Sequence, residues 1–173
     1  MNNNKKKLLL IIIFSLGLLG GCKIKSEDTN EYISTKINKI IEETNIKELS
    51  AEAEQIIKNS FLYSNQHDLD KVLQCYVDRY KDFNFGLNNL EYMEMKCLTL
   101  ITDELRYRQY INNIFLNEQN LEIKEIKIYE VKYDIEYKND SIEPTDSGET
   151  TKEYILIKIK DSNNWLIHSI GTM

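Results

Sequence analysis

The sequence predicts an α+β domain in which helices are followed by an antiparallel sheet. Apolar residues recur at helical spacing in the first half of the chain, and period-two alternation dominates the second half. The 173 residues are enough for one domain with a sizeable core. We therefore expect one domain whose helices pack on one face of a curved sheet.

A short amphipathic helix is predicted first, from about Glu31 to Glu43, because isoleucines recur there at helical spacing. This helix could pack on the domain, lie on a membrane or pair with a partner. Its polar face has no basic character, which disfavours a membrane-surface helix. We expect a helical tether that docks weakly.

Two further helices are predicted as an αα-hairpin. Ser50 is a good N-cap for the first, and Glu52 and Glu54 fall in its first turn, where the helix dipole favours negative charge. Asp68 can cap the second helix. Its inner stripe is predicted to comprise Leu69, Val72, Leu73, Tyr76, Tyr80 and Phe83.

The stretch from Tyr92 to Thr102 predicts a strand, with a helix as the competing interpretation. The residues expected to face inward are Met93, Met95, Cys97, Thr99 and Ile101. The following stretch from Leu105 to Gln119 has helical spacing of its apolar residues and predicts a short helix or an ordered loop.

The clearest β signal is "IKEIKIYEVKYDIEY". Ile126 and Ile128 lie on one parity, and the apolar residues from Tyr129 onward lie on the other. A β-bulge supplies such a one-residue slip and bends the strand, so we expect a bulge between Ile128 and Tyr129.

The end of the chain predicts a hairpin that closes the domain. A loop with Pro144 and Gly148 leads to a strand from Glu153 to Lys160, with its isoleucines inward. The turn "DSNN" then leads into "WLIHSIG".

The N-terminus has the layout of a secretory signal peptide, with a basic cluster at residues 5–7 and an apolar run from Leu8 to Leu19. The next residues, Leu19-Gly20-Gly21-Cys22, resemble the bacterial lipobox. This resemblance implies that Cys22 carries diacylglycerol and becomes the first residue of the mature protein. An ordinary signal peptide or an uncleaved anchor are the alternatives. Two acyl chains hold a protein on a bilayer where one does not.

The predicted organisation is a signal peptide at 1–21, a lipidated tether at 22–49 and one domain at 50–173. Localisation is then at the cell membrane, lipid-anchored and facing the extracytoplasmic side. Loss of residues 1–21 removes three lysines and no acid, which takes the net charge from −6 to −9. This surplus of acid argues against a nucleic-acid partner. Cys75 and Cys97 remain, as a disulfide or as free thiols.

The lipobox, the helical hairpin, the strand "IYEVKYDIEY", the loop "SG" and the terminal "WLIHSIG" together resemble a family of small uncharacterised lipoproteins of low-GC Gram-positive bacteria. Their domain is similar to the nuclear-transport-factor-2-like (cystatin-like) fold, a cone of helices resting in a curved antiparallel sheet. The resemblance covers about Ser50 to Thr172. It implies no catalytic residues, because the wider fold includes enzymes, carriers and interaction modules.

Five residues are the candidates for lining a ligand cavity in such a cone: Tyr129, Tyr133, Tyr137, Trp165 and His168. The same aromatic residues are typical of the packed face of a strand, and core packing is the favoured interpretation. His168 is expected to be a hydrogen-bonded wall residue, with a catalytic base as the weaker alternative.

Other chemistry-bearing motifs are weak. "HDLD" could hold a metal or an acid–base group, but a helix cap with a solvated His67 is favoured. Ser147 lacks the Gly-x-Ser-x-Gly elbow of serine hydrolases. No phosphate loop, zinc spacing or calcium loop appears, so we expect no metal, cofactor or catalytic residue.

The favoured function is a non-enzymatic lipoprotein that binds a small molecule, a peptide or another envelope protein. The alternative is an isomerase- or dehydratase-type enzyme that acts on a small molecule in the cone cavity. A structural or regulatory envelope protein is the third hypothesis. The alternation of the predicted strands places no Asp or Glu at a clearly inward position, and this favours binding over catalysis.

Overall fold

A computed structural model describes residues 26–118, 121–144, 146–160 and 162–171. These residues form four helices and four strands, and the helices largely precede the strands. In chain order the elements are α1 (Ser26–Thr44), α2 (Ala51–Asn65), α3 (Leu69–Leu73), β1 (Leu90–Leu100), α4 (Glu104–Asn117), β2 (Ile123–Tyr137), β3 (Gly148–Ile159) and β4 (Trp165–Gly171). The predicted α+β class is confirmed at this level.

The four strands form one antiparallel sheet in the order β1-β2-β3-β4. The two central strands are the longest, because they pair with a neighbour on both sides. In the β3–β4 pair, Ile155 lies opposite Ser169 and Leu156 lies opposite Ile167, so β4 contains one extra residue between them. This β-bulge falls at His168.

Helices cover both faces of the sheet, not one face as expected. One cluster packs α2 and α3 on one face, and it contains Tyr129, Val131, Tyr154 and Leu156 of the central strands. A second cluster packs α1 and α4 on the other face, and it contains Ile126, Ile128, Ile155 and Ile157. Neighbouring residues of a strand point to opposite faces, so the central strands are buried on both sides.

The bulge expected between Ile128 and Tyr129 is absent, because β2 pairs with β3 in continuous register from Glu125 to Ile135. The slip in the apolar pattern arises because the two parts of β2 bury opposite faces. A bulge lies instead in β1, between Met95 and Cys97. Because of this bulge, Cys97 and Thr99 face solvent, and Leu98 and Leu100 face inward. The prediction that Cys97 and Thr99 face inward is therefore wrong.

The α2–α3 hairpin begins as predicted at both of its caps. The Ser50 side chain accepts from the Ala53 amide, and the Asp68 side chain accepts from the Lys71 amide. However, the third helix ends at Leu73 and does not continue to Phe83. The chain turns there because residues 75–77 bind the backbone of Ile167 at the outer edge of β4, at 2.8 and 3.1 Å.

On the opposite face α1 packs on the sheet through Ile37 and Ile40, which are buried. Its C-terminal end is held by the ammonium of the buried Lys127, which donates to the carbonyls of Thr44, Asn45 and Glu48 at 2.6–2.9 Å. The helix assigned to the tether from the sequence therefore forms part of the packed structure.

The sequence predicted either a short helix or an ordered loop for the stretch 105–119. Residues 105–117 of this stretch form most of α4. The Tyr107 side chain is fully buried, donates to the carbonyl of Ile101 and accepts from the amide of Ile128. This side chain fixes α4 to the sheet. Cys75 is buried and Cys97 is exposed, and both are free thiols.

Candidate functional site

Four of the five candidate cavity residues are packed side chains. Tyr129 and Trp165 are 0% and 3% exposed, and the ring of Tyr133 meets Phe61 edge-on with 5.1 Å between centroids. Tyr137 is half-buried against the same cluster. The α2–α3 face is filled by its own side chains, and none of these four residues lines a cleft described below.

His168 lies on the other face of the sheet, apart from the three candidate tyrosines of β2, and is 5% exposed. Its Nε2 lies 2.9 Å from the Glu118 carboxylate, directly after the end of α4. Arg79, in a 3₁₀ turn at 78–80, pairs with the same carboxylate and donates to the backbone carbonyl of His168. Three elements distant in sequence thus meet at His168.

A buried carboxylate, that of Glu153, lies on the same side of the sheet as His168. Glu153 of β3 is 3% exposed and accepts from the guanidinium of Arg106. Its other carboxylate oxygen accepts from the Tyr110 hydroxyl at 2.6 Å. The expectation that no acid faces inward on the strands is therefore wrong. Glu153 shares the parity of Ile155 and Ile157, which contact α1 and α4.

These two groups line two neighbouring surface clefts, which we together call the polar groove. It consists of two clefts, of about 180 and 290 Å³, that share Tyr110 and Asn113 of α4. One cleft ends at Arg79 and Glu118, and the other ends at Arg106 and Glu153. The polar groove is defined by Arg79, Arg106, Tyr110, Asn113, Glu118, Glu153 and His168.

Burial and neighbouring charges set the protonation states in the polar groove. Burial lowers the pKa of His168, and the Arg79 guanidinium lowers it further, while Glu118 opposes both effects. The net direction is downward because burial and the charge of Arg79 together outweigh the effect of Glu118. Burial, together with the hydrogen bond to Glu153, raises the pKa of Tyr110 to about 12. At pH 7 the imidazole and the phenol are both neutral.

The hydrogen bonds of the polar groove suit recognition better than proton transfer. A general base needs a free lone pair directed at the substrate. The imidazole of His168 faces Glu118 through Nε2 and Arg79 through Nδ1, at 2.9 and 3.5 Å. Both carboxylate oxygens of Glu153 also have partners. The exposed amide of Asn113 and the edges of the ion pairs are the groups presented to solvent.

The remaining candidate residues have structural partners or lie outside the described residues. Cys22 and residues 1–21 lie outside them. Asp68 caps α3, and Nδ1 of His67 hydrogen-bonds the carbonyl of Leu87 at 2.6 Å. The Ser147 hydroxyl donates to Asp140. Within the described ranges, no three His, Cys, Asp or Glu side chains are grouped as a metal site requires.

Most residues of the polar groove could not be identified from the sequence. Arg79 and His168 are 89 positions apart, and no local pattern joins them. Glu153 did carry a signal, because it continues the inward parity of Ile155 and Ile157 at the start of a strand. A charged residue at such a position indicates a buried polar contact.

No helix among the described residues has the length and apolar character of a membrane span. No curated protein matches the chain, and no solved structure matches it either. The family model of a domain of unknown function, DUF4829, matches residues 54–171, from the first turn of α2 to the end of β4. Because this match covers more than half of the chain, the protein belongs to the DUF4829 family.

Proposed function

We propose that this protein is a lipid-anchored extracytoplasmic binding protein whose ligand site is the polar groove. The observation that carries the binding role is the presence of one guanidinium–carboxylate pair in each of two clefts that share Tyr110 and Asn113. The lipobox around Cys22 supports the location.

A short peptide is the ligand class that best fits this arrangement. The guanidinium groups of Arg79 and Arg106 are partly exposed at the two ends of the polar groove, so either can bind the carboxylate of a peptide. The partly exposed carboxylate of Glu118 can bind the ammonium group of the same peptide. Tyr110 and Asn113 lie between the ends and can hydrogen-bond main-chain groups. Small-molecule pockets usually measure about 300–1,000 Å³. The two clefts of about 180 and 290 Å³ are smaller and suit an extended ligand that spans both.

The enzyme hypothesis receives less support. It relied on a cavity inside the cone, and the side chains of the α2–α3 face fill that region. Its buried tyrosines include Tyr133, whose pKa is raised to about 12 by burial, so the phenol is a poor proton donor at pH 7. Both carboxylate oxygens of Glu153 have protein partners and this side chain is 3% exposed, so Glu153 is poorly placed to reach a substrate proton.

We also propose that the domain is a variant of the nuclear-transport-factor-2-like cone. A helical hairpin on one face of a four-stranded antiparallel sheet supports this proposal. Bulges in β1 and β4 bend the sheet, as a cone requires. The covering of the second face by α1 and α4 is the difference from the expected arrangement.

Replacement of Cys22 by Ala tests the location. We expect Cys22→Ala to remain as an unprocessed precursor or to leave the membrane, whereas Cys97→Ala should be processed and retained as normal. Membrane fractionation and the intact mass of the protein measure both outcomes. A Cys22→Ala protein that is still processed and membrane-bound would contradict the lipid anchor.

Titration with peptides, followed by NMR, tests the binding site. We expect a panel of di- and tripeptides to include members that shift the amide signals of Tyr110 and Asn113 saturably. Asn113→Trp should block the polar groove and abolish these shifts. Asn112→Trp is the matched control, since Asn112 is also exposed on α4 but lines a different cleft. Equal binding by both variants, or no binding to the unaltered protein, would exclude the polar groove as a peptide site.

A further inference from the structure

The chain leaves little distance between the lipidated cysteine and the folded domain. Helix α1 begins at Ser26, four peptide steps after Cys22. A fully extended chain advances at most about 3.6 Å per residue, so these steps span no more than about 14 Å. The start of α1 must therefore lie close to the surface of any membrane that holds Cys22.

The position of α1 fixes the orientation of the whole domain, because α1 is packed on the sheet. Ile37 and Ile40 are buried in the second cluster. Lys127 also binds the carbonyls at the C-terminal end of α1. The end of the domain that contains the first turns of α1 is thus the end nearest to the anchor.

Helix α4 contributes to the same end, because it runs antiparallel to α1. Near its start, Arg108 donates to the Asn38 side chain at 2.7 Å. Near its end, Leu116 lines a cleft together with Asn30 and Ile33. The last turn of α4 therefore lies beside the first turns of α1. We call the residues Tyr32, Ile33, Lys36, Phe115 and Leu116 the anchor-side tip.

The anchor-side tip exposes the residue types that occur at membrane interfaces. Tyr32 is 59% exposed and Leu116 is 61% exposed. The Lys36 ammonium lies 4.6 Å from the centre of the Tyr32 ring and 5.9 Å from that of Phe115. Amphipathic aromatic rings and lysines with apolar stems are enriched at the level of lipid headgroups.

Charge near the anchor-side tip also suits an anionic bilayer. Beside it lies a cleft of about 360 Å³ that four lysines line, namely Lys36, Lys39, Lys124 and Lys160. Two carboxylates, Glu43 and Glu122, line the same cleft and pair with Lys39 and Lys160. Lysines thus outnumber carboxylates in this cleft, although the mature chain that Cys22 would anchor has an expected net charge of −9. Lysines near a membrane are attracted to anionic lipids.

We propose that the anchor-side tip rests on the bilayer that holds Cys22, with Tyr32 and Leu116 in the interfacial layer. This proposal rests on the lipid anchor of the proposed function. Glu118 follows the end of α4 directly, so the Arg79–Glu118 end of the polar groove then opens beside the membrane. A ligand of the groove is bound at the membrane surface.

Spin labels on the full-length, lipidated protein test this orientation. The protein is placed in bilayers that contain phosphatidylcholine and phosphatidylglycerol, in a Cys97→Ser background so that a single introduced cysteine reacts. Labels at positions 32 and 116 are compared with labels at Leu49 and Leu105, which are 65% and 62% exposed but lie near the opposite ends of α1 and α4.

We expect oxygen collisions to exceed collisions with an aqueous nickel chelate at positions 32 and 116 only, at the headgroup boundary where interfacial side chains sit about 5–10 Å deep. An added Lys36→Glu change should reduce this excess. Equal aqueous exposure at all four positions, in protein whose intact mass shows an acylated Cys22, would overturn the orientation and leave the anchor standing. A protein without acylation at Cys22 would overturn both proposals.

Discussion

Each carboxylate in the polar groove accepts hydrogen bonds from two different partners. Glu118 binds Arg79 and His168, and Glu153 binds Arg106 and Tyr110. Paired charges at partly buried positions depend on one another, because removal of one partner leaves the other without compensation. The polar groove is therefore rigid enough to present a fixed pattern of donors and acceptors.

The lowered pKa of His168 predicts a pH dependence of stability. The ordinary pKa is 6.5, and the folded-state value lies below it. Between the two values the unfolded chain binds more protons than the folded protein, so the free energy of unfolding rises with pH and falls on acidification below 6.5. Urea denaturation between pH 7.5 and 5.5 measures this slope.

His168→Gln should flatten that slope, because it removes the titrating group while it keeps a side chain that can donate to Glu118. Asn163→Gln is the control. Asn163 is exposed in the turn before β4 and has no titrating group, so its replacement should leave the slope unchanged. A slope that is the same in all three proteins would mean that His168 does not control it.

Trp165 supports the packing of the α2–α3 face. Its side chain is 3% exposed within the first cluster. Replacement by Ala leaves a large cavity, and we expect a loss of about 3–5 kcal/mol in the free energy of unfolding. Chemical denaturation measures this loss. A change within about 0.5 kcal/mol is typical of surface substitutions and would contradict core packing.

At the level of secondary-structure elements, the sequence predicted the helix starts, because local hydrogen bonds of the capping residues determine them. Ser50 and Asp68 start α2 and α3 because their side chains satisfy amides of the first turn. The end of α3 could not be predicted, because residues 75–77 leave helical geometry to pair with Ile167, about ninety positions away. The bulge in β1 was missed for a similar reason, since it depends on pairing with β2.

The apolar pattern of β2 does change parity as predicted, but the predicted cause, a β-bulge, is wrong. Its slip between Ile128 and Tyr129 reflects two helical layers on opposite faces. A single sequence shows that the buried parity changes, but it does not show whether the strand bends or its cover changes. The polar groove depends on the same arrangement, because α4 packs on the face that the one-sided prediction left open.

Lys127 links α1 to the sheet and predicts a local effect on that helix. Its ammonium donates to three backbone carbonyls, at Thr44, Asn45 and Glu48. Lys127→Met removes these donors, and buried acceptors left without partners cost about 1–3 kcal/mol. We expect faster amide hydrogen exchange in α1, with little change in α2.

Lys124→Met is the matched control, since Lys124 lies on the same strand but is exposed, and its carboxylate partner Glu125 is 3.9 Å away. This variant should exchange like the unaltered protein. Equal exchange of α1 in both variants would show that the contacts of Lys127 do not hold the helix.

At the scale of the whole molecule, the family match and the packed structure begin at different points. The family model starts at Glu54, and the sequence predicted a domain from Ser50 onward. The structure adds α1, which covers the second face of the central strands. This additional helix begins four positions after Cys22, so under the proposed lipid anchor one element would serve both packing and attachment.

A chain that begins at Ser50 should therefore be much less stable than a chain that begins at Ser26. The shorter chain lacks Ile37, Ile40 and Ile46, which are all buried, and each contributes about 1.5–3 kcal/mol on burial. Small domains are stable by about 5–15 kcal/mol, so this loss approaches the whole of their stability. It also uncovers Ile126 and Ile128 on the central strand.

We expect the shorter chain to bind the dye ANS and to show a broad, early urea transition, whereas the chain from Ser26 unfolds cooperatively and does not bind the dye. Chains that begin at Ser26 and carry Ile40→Asp give a milder version of the same defect, since one isoleucine is lost and a charge is buried. If the chains from Ser50 and Ser26 unfold at the same urea concentration without dye binding, α1 lies outside the cooperative unit. The second face would then be stable with α4 as its only helical cover, which its four buried isoleucines, Ile126, Ile128, Ile155 and Ile157, argue against.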